Sequence, residues 1–210
     1  MSTGRRSGSG SRPAPERLLA AGRNLYLAGF MATGKTETAR ALGRVLGVPW
    51  VDLDGEIERE AGMSVAEIFE KRGERTFRAA EHRALRAAVR PGGRVVALGG
   101  GAVCFERNRA LLRRTGPVVL LTAPPDVILR RIGGSRTRPL LQGADAAARL
   151  QALLARRARD YRRYRLRVDT AEMTPRGAAE AVLHVVEKAR RRAGAARARR
   201  KAARLGGTCR

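Results

Sequence analysis

Cysteine is scarce in this 210-residue sequence, which contains only Cys104 and Cys209. Two cysteines cannot form a disulfide framework, and no Cys-x-x-Cys pair or Cys/His cluster indicates a zinc site. Apolar runs are short, and none approaches the ~18 residues of a membrane-spanning helix. The basic start of the chain lacks the apolar segment of a secretory signal. These absences argue against a disulfide-rich secreted protein and a membrane protein, so we expect a cytoplasmic one.

Acidic residues are also few, since 19 Asp and Glu stand against 44 Lys and Arg and give a formal net charge of +25. Only four of these cations are lysines, and arginine suits bidentate recognition of phosphate and carboxylate. Residues 1–23 and 188–210 together carry +14 of the excess. We predict a disordered basic leader over residues 1–23 and a disordered Arg/Ala-rich tail over residues 190–210. Solvated extensions without a role and nonspecific polyanion contacts are the alternatives for both.

Short apolar runs alternate with longer amphipathic stretches between these two ends. The apolar runs predict strands at residues 24–29, 49–54, 95–98, 118–121 and 166–170. The amphipathic stretches predict helices at about 35–46, 64–71, 74–89, 125–132 and 145–161, with a last one from about 175. This alternation predicts one α/β three-layer domain over residues 24–189, with a five-stranded parallel sheet and helices on both faces.

The segment GFMATGKT at residues 29–36 fits the pattern Gly-x-x-x-x-Gly-Lys-Ser/Thr and lies between an apolar strand and an amphipathic helix. Gly29 and Gly34 let the backbone wrap so that successive N–H groups converge on phosphate oxygens. We predict that Lys35 bridges the β- and γ-phosphates and that the Thr36 hydroxyl ligates Mg²⁺, the expected cofactor. The ATP-binding residues of this segment are predicted to be Gly29, Ala32, Thr33, Gly34, Lys35, Thr36 and Glu37.

Two carboxylates, Asp52 and Asp54, end the second predicted strand. The carboxyl ends of parallel strands form the edge where open α/β sheets bind ligands. Because the two residues are two apart, we expect them to point to opposite sides of the strand. One can then face the metal and the phosphates while the other faces a second substrate. Capping or solvated turn residues are the alternative.

Several blocks of the sequence, in their order and spacing, resemble the shikimate kinase family of P-loop proteins. They are GFMATGKT at 29–36, VDLD at 51–54, GMSVAEIFEKRGERTFRAAE at 62–81, ALGGGAV at 97–103, RNRALLRR at 107–114, TRPLL at 137–141, RRARDY at 156–161 and VDT at 168–170. The resemblance covers about residues 24–187. It implies transfer of the ATP γ-phosphoryl group to the 3-hydroxyl of shikimate, in aromatic amino acid biosynthesis. It also implies a monomer that needs no partner protein.

The resemblance assigns roles to individual residues. It implies that Asp52 supports the Mg²⁺ site and that Asp54 binds shikimate hydroxyls. It also implies that Arg78 and Arg157 hold the shikimate carboxylate. The further implied substrate-binding residues are Phe69, Phe77, Glu81, Gly99, Gly100 and Gly101, with Glu81 orienting the arginines and the glycines bringing backbone against the acceptor.

A glycine-bounded, arginine-bearing stretch at residues 133–145 suits a mobile lid between two helices. Closure of such a lid would exclude water from the transferring phosphate. The resemblance implies that Arg138 of this lid reaches that phosphate and that Arg131 lies near the adenine. The implied catalytic residues are therefore Lys35, Asp54 and Arg138. A plain surface loop is the alternative for the lid, as a plain turn is for the three glycines.

The chemistry of the residues agrees with the implied substrate for separate reasons. Shikimate is a small anionic polyol, so its site needs arginine forks for one carboxylate and an acid for the hydroxyls. Arg78, Arg157 and Asp54 are of these types. A triple glycine after a buried strand removes every side chain from one place, as the close approach of a ligand requires.

Two positions depart from the family pattern. Glu37 stands where P-loop kinases often carry Ser or Thr, and Arg159 stands where the family usually has Pro. A carboxylate in the first turn of the P-loop helix favours the positive helix end but repels bound ATP. We therefore expect Glu37→Thr to raise ATP affinity about fivefold. In the alternative, Glu37 points to solvent or pairs with Arg40 or Arg44 and leaves the nucleotide alone.

Two other function classes remain open from the residues. The first is a different small-molecule P-loop kinase, of the gluconate or nucleotide kinase type, which shares the P-loop and the lid. The second is a regulatory protein with a kinase-like domain and a nucleic-acid-binding tail. The basic tail favours the second class, but the sequence has no helix-turn-helix, zinc or aromatic RNA-binding signature.

Overall fold

A computed structural model describes residue 17, residue 19, residues 21–133 and residues 145–205, the last six of them by backbone only. Its strands are β1 (Leu25–Gly29), β2 (Trp50–Asp52), β3 (Val95–Ala97), β4 (Val118–Thr122) and β5 (Arg167–Asp169). They form one parallel sheet in the order β2-β3-β1-β4-β5. The predicted five-stranded parallel sheet is therefore confirmed.

Helices surround this sheet. They are α1 (Lys35–Leu46), α2 (Leu53–Ala61), α3 (Val65–Val89), α4 (Glu106–Thr115), α5 (Pro125–Gly133), α6 (Ala146–Tyr161) and α7 (Pro175–Leu205). The sequence patterns did not predict α2 and α4, because each is short and rich in charge, and α2 carries Gly55 in its interior. Within the described ranges, no helix is long and apolar enough to cross a membrane.

The strands bury alternate side chains on the two faces of the sheet, as the two-residue period of a strand dictates. Tyr26 and Ala28 of β1 pack into a cluster that includes buried residues of α2 to α6. Leu25 and Leu27 pack into the cluster on the other face, with buried residues of α1 and α7. Both faces are covered, which explains why β1 and β4 are nearly continuous apolar runs.

The helix α3 has a sharp bend between the two helices that the sequence predicts. Ser64 caps its start, because its hydroxyl accepts a hydrogen bond from the Glu67 N–H at 3.2 Å while the Glu67 carboxylate accepts one from the Ser64 N–H at 2.9 Å. Gly73 then leaves the helical conformation with φ 76°. The two helices predicted at 64–71 and 74–89 are therefore two arms that meet at this glycine.

Both ends of the chain differ from the expectation of disorder. Residues 190–205 continue α7, so the predicted disordered tail is wrong for these residues. Alanine and arginine are among the strongest helix formers, which accounts for the continuation. At the other end, Leu19 is only 3% exposed and packs into the core cluster of α1 and α7. The leader prediction is therefore wrong at Leu19, and residues 1–16 lie outside the described part.

The order of the strands places three loops side by side. β1 lies between β3 and β4, so the chain runs from β1 to β2 and β3 on one side of it and then crosses to β4 and β5 on the other side. Ligands bind at such a switch point, in the crevice at the carboxyl ends of the strands. The segments after β1, β2 and β3 begin at Gly29, Asp52 and Ala97, and all three meet at this edge.

Candidate functional site

The loop after β1 has the backbone conformation that its sequence pattern predicts. Gly29 has φ 144°, and a Cβ there would lie 2.3 Å from the Leu121 carbonyl oxygen. Gly34 has φ 80° where the loop enters α1, and Ala32 holds φ 60°, which is uncommon for a residue with a side chain. Such strained backbone persists where surrounding contacts hold it and is frequent at ligand-binding loops.

Side chains from the far end of the sheet hold this loop in place. The Thr170 hydroxyl, just after β5, donates to the Thr33 carbonyl at 3.0 Å. Arg131 of α5 donates to the Ala32 carbonyl at 3.2 Å and to the Thr170 carbonyl at 2.6 Å. Arg131 therefore ties the P-loop to the segment after β5. Thr170 was not among the predicted site residues, although it lies in the VDT block at 168–170.

The predicted phosphate and metal groups are adjacent. The Lys35 ammonium, at the start of α1, donates to the Phe30 carbonyl at 2.9 Å. The Thr36 hydroxyl hydrogen-bonds to the Asp52 carboxylate. The other oxygen of Asp52 accepts from the Asp54 N–H at 3.1 Å and so caps α2. The expectation that Asp54 ends the strand is wrong, because β2 stops at Asp52 and Asp54 lies in the first turn of α2.

The pair Thr36 and Asp52 fits a magnesium ion. Mg²⁺ prefers oxygen ligands and usually takes only one or two protein groups, with waters and substrate phosphates completing its shell. One hydroxyl and one carboxylate at the end of the P-loop meet that requirement. In the described ranges there is no group of three or more His, Cys, Asp or Glu residues that could hold a metal by itself.

The three glycines after β3 lie directly against the predicted acceptor-binding side chains. A Cβ on Gly99 would lie 2.6 Å from Oδ1 of Asp54 and 2.8 Å from Oε1 of Glu81. A Cβ on Gly101 would lie 2.8 Å from both terminal nitrogens of Arg78. Real Cβ atoms do not approach so closely, so side chains here would displace these groups. A side chain at Gly99 or Gly101 therefore requires a shift of the charged groups around it.

The middle glycine contacts the second predicted arginine. A Cβ on Gly100 would lie 3.1 Å from Nη1 of Arg157. The Gly100 carbonyl accepts a hydrogen bond from the Tyr161 hydroxyl at 2.7 Å. The Arg157 guanidinium lies 5.0 Å from the ring centroid of Phe30. Its Nη1 is buried and makes no hydrogen bond to any described residue, so it can bind an anionic ligand.

Other side chains fix the segment that follows the glycines. Asn108 of α4 donates to the Ala102 carbonyl at 3.0 Å and is hydrogen-bonded to His82 of α3 at 2.7 Å. Arg109 donates to the Cys104 carbonyl at 2.7 Å. Asn108, His82, Arg109 and Tyr161 were not among the predicted site residues. The RNRALLRR block at 107–114 and the tyrosine of the RRARDY block at 156–161 are the signals that could have found them.

Arg78 lies among aromatic rings. Its guanidinium carbon is 5.7 Å from the centroid of Phe69, 5.1 Å from that of Phe77 and 4.8 Å from that of Phe105. Its Nη1 donates to the Glu81 carboxylate at 3.1 Å, and its side chain is 12% exposed. Phe69 and Phe77 therefore support the arginine from one side. Phe77 is also part of a small core cluster between α2 and α3.

Glu81 is fully buried and is therefore not a solvated charge on the surface of its helix. Its pKa is raised from 4.5 to about 7: burial is the largest cause and the nearby Asp54 carboxylate adds to it, while Arg78 and Arg157 act in the opposite direction. The four groups therefore form one electrostatic unit around the glycines. Because Glu81 is close to both arginines of this unit, its protonation changes the electric field at both of them.

Glu37 follows the alternative that the sequence left open. Its carboxylate pairs with Arg40 at 3.0 Å, and its side chain is 51% exposed. Arg40 in turn lies 5.4 Å from the ring centroid of Trp50. The carboxylate is thus held along the outer side of α1 rather than over the phosphate loop. The expected gain in ATP affinity on replacing it loses its basis.

The structure of the described residues does not place the predicted lid or Arg159 in the cluster of side chains around the glycines. Arg138 and most of the predicted lid at 133–145 lie outside the described residues. Arg159, which stands where proline was expected, is exposed near the end of α6.

Comparisons with known proteins agree with this geometry. The family model described as shikimate kinase matches residues 31–189. The shikimate kinase of Geobacter sulfurreducens is 49% identical over 150 residues, which are 71% of this chain and 83% of that protein. The shikimate kinase of Caldanaerobacter subterraneus is 41% identical over 166 residues, 79% of this chain and 97% of that protein.

Solved structures show the same relation. The structure of shikimate kinase from Acinetobacter baumannii in complex with shikimate matches with a TM-score of 0.75 and 35% identity, covering 82% of this chain and 97% of that one. A gluconokinase from Sinorhizobium meliloti matches with a TM-score of 0.50 and 16% identity, covering 80% of this chain and 93% of that one. The second likeness shows a shared fold only.

The Glu37–Arg40 pair leads to a test of nucleotide binding. Because the carboxylate is exposed and already paired, salt and solvent screen its effect on bound phosphates. We expect Glu37→Thr to change ATP affinity by less than about twofold at low and at moderate salt. Calorimetric titration of MgATP into both proteins measures this. A gain in ATP affinity of about fivefold at low salt would contradict this expectation and support the repulsion between Glu37 and ATP that the sequence predicts.

The raised pKa of Glu81 leads to a test of stability against pH. A carboxyl group whose folded pKa lies above its unfolded value contributes stability that is complete below about 4.5 and is lost as pH rises through about 7. The glutamine side chain of the Glu81→Gln variant cannot ionise, so the variant does not lose this stability as pH rises. Between pH 5 and 7.5, the free energy of unfolding of the variant should therefore gain about 2–3 kcal/mol relative to the wild type.

Urea denaturation at several pH values measures this difference. Glu70→Gln, which replaces an exposed glutamate of the same helix, controls for the removal of one negative charge. A difference between Glu81→Gln and the wild type that stays flat with pH would contradict the assigned burial of the carboxylate.

Proposed function

Because the chain belongs to the shikimate kinase family, we propose that its site transfers the γ-phosphoryl group of ATP to the 3-hydroxyl of shikimate. One observation supports this above all: the carboxylate of Asp54 and the guanidinium groups of Arg157 and Arg78 surround the three glycines beside the P-loop. The products are shikimate 3-phosphate and ADP.

The acceptor is held by charge and by close contact with backbone. The two arginines bind the shikimate carboxylate through charge-assisted hydrogen bonds. Buried Nη1 of Arg157 supports this role, since a guanidinium N–H in the interior requires an acceptor. Asp54 accepts hydrogen bonds from the ring hydroxyls. The glycine backbone allows the ring to approach without a side chain between them. Glu81 orients Arg78, and Phe69 and Phe77 line the acceptor side.

The donor is held by the P-loop. Its backbone N–H groups and Lys35 bind the phosphates, and Arg131 lies next to the adenine side of the loop. Thr36 and Asp52 would hold Mg²⁺, which neutralises phosphate charge when it is bound. Glu37 contributes its backbone N–H in the first turn of α1, while its side chain stays with Arg40.

The chemical step itself asks little of the protein beyond position and charge. The 3-hydroxyl attacks the γ-phosphorus, the bond to the β–γ bridging oxygen breaks, and ADP leaves. Asp54 is the group positioned to accept the hydroxyl proton. Arg138 acts on the transferring phosphate from the lid; this role rests on the resemblance alone.

The proposal includes a monomer that works in the cytoplasm, where ATP is available. The resemblance that assigns these side chains to the two substrates implies a site formed by one chain. ATP and shikimate are the required small molecules.

A gluconate or nucleotide kinase is the main alternative. The likeness to a gluconokinase shows the fold alone, and such an enzyme does not require an arginine on either side of a triple glycine. A purely regulatory role would not require the buried, ligand-ready Arg157 beside an intact P-loop.

Alanine substitutions at the two arginines test the proposal. The wild type should release ADP with shikimate and not with gluconate or a nucleoside monophosphate. Arg78→Ala and Arg157→Ala should each lower kcat/KM for shikimate by a factor that corresponds to about 2–4 kcal/mol. The reason is that the carboxylate of bound shikimate loses a charged partner. The KM for ATP should change far less. A coupled assay of ADP release measures both constants.

Arg156→Ala provides the matched control, because Arg156 is exposed and precedes Arg157 on α6. It should leave both constants near the wild-type values. Arg157→Lys, which keeps the charge and loses the fork, should recover only part of the activity. Equal losses for ATP and shikimate in the alanine variants would refute the assignment of the arginines to the acceptor.

A further inference from the structure

The last turns of α7 leave the domain surface. Val182 and Val186 are buried against the sheet, and they are the last residues of the helix that are buried in the described part. Residues 190–199 are all exposed. Because the helix continues to Leu205, its C-terminal half projects beyond the residues that are buried against the sheet.

That projecting half is almost purely cationic. Glu187, which pairs with Arg191, is the last acidic residue of the sequence. Residues 188–205 contain nine Lys and Arg, and the other nine are seven alanines, one glycine and Leu205. A helix of 18 residues is about 27 Å long, so it carries one cation for about every 3 Å.

From this spacing we infer that residues 188–205 form a binding surface for the phosphate backbone of double-stranded nucleic acid. Each strand of DNA carries one phosphate per ~3.4 Å of the duplex axis, which is close to the average spacing of cations along the axis of this helix. Seven of the nine cations are arginines, which bind phosphate oxygens in bidentate fashion. Alanines between them keep the helix slender enough for the major groove, which admits a helix.

Other polyanionic partners fit less well. An amphipathic helix that lies on a membrane needs an apolar face, and Leu205 is the only large apolar residue here. Ion pairs with the carboxylates of a partner protein are worth little when they are exposed. A nucleic acid instead releases condensed counterions, so each phosphate contact gains free energy at an exposed site as well.

The surface has no means of distinguishing most bases. Asn and Gln, the side chains that read adenine, do not occur in residues 188–205, and neither do acidic residues that read cytosine. Binding is therefore carried by phosphate contacts and is largely independent of base sequence. The kinase site lies at the other end of α7, beyond its first residue Pro175, so it stays open when the tail is bound.

Fluorescence anisotropy with the full chain and two labelled duplexes of unrelated sequence tests the inference. Duplexes of about 20 base pairs exceed the length of the helix, and salt is varied from about 50 to about 200 mM. One variant replaces Arg197, Arg199, Arg200 and Lys201 with glutamine. The control variant replaces four exposed arginines of the domain, Arg44, Arg86, Arg90 and Arg114, with glutamine, for the same loss of charge.

We expect the tail variant to bind both duplexes at least about tenfold more weakly than the wild type at ~100 mM salt. The slope of log affinity against log salt concentration should be smaller in magnitude by about 3 to 4 for this variant. The control variant should stay within about twofold of the wild type. Both variants should keep wild-type ADP release with shikimate, which shows that they fold.

Three results would overturn the inference. Equal weakening in the tail and control variants would mean that net charge alone drives binding. A difference above about tenfold between the two duplexes would mean base readout. Binding to vesicles of anionic lipid but not to either duplex would assign the helix to a membrane.

Discussion

The absence of side chains at Gly99, Gly100 and Gly101 is the constraint on which the candidate site depends. Two acids and two arginines occupy the space that three Cβ atoms would take, at 2.6 to 3.1 Å. Four charged groups can share so small a volume only because backbone, rather than side chain, fills its centre. The same arrangement brings Glu81 into full burial and raises its pKa to about 7. Binding geometry and electrostatics therefore have one structural origin.

Hydrogen bonds from distant elements keep the two loops of the site in register. Tyr161 of α6 holds the glycine loop at the Gly100 carbonyl. Thr170, after β5, and Arg131 of α5 hold the P-loop at the carbonyls of Thr33 and Ala32. None of these three groups needs to touch a substrate to matter. Because backbone carbonyls are the anchoring points, these three contacts use none of the N–H groups that the loops can offer to phosphate or acceptor.

Sequence patterns predicted the sheet, most helices and the segments that form the site, because burial on both faces and the P-loop pattern are local signals. The contacts among Asp54, Glu81 and the glycines were not predictable from spacing, since they join three elements distant in the chain. The direction of Glu37 was left open for the same reason, and a neighbouring arginine decided it. The tail was misjudged because its composition suits both a solvated coil and a helix of alanine and arginine.

Calorimetric titration of shikimate into Gly99→Ala tests most directly whether the glycines determine the site. The backbone of Gly99 lies outside the left-handed region, so contact with Asp54 and Glu81 is the only obstacle to a methyl group. We predict that shikimate affinity falls by at least about tenfold, or 1.4 kcal/mol, while ATP affinity is retained. Gly194→Ala, at a position with open space, should change neither affinity. Shikimate binding by Gly99→Ala with wild-type affinity would contradict the account.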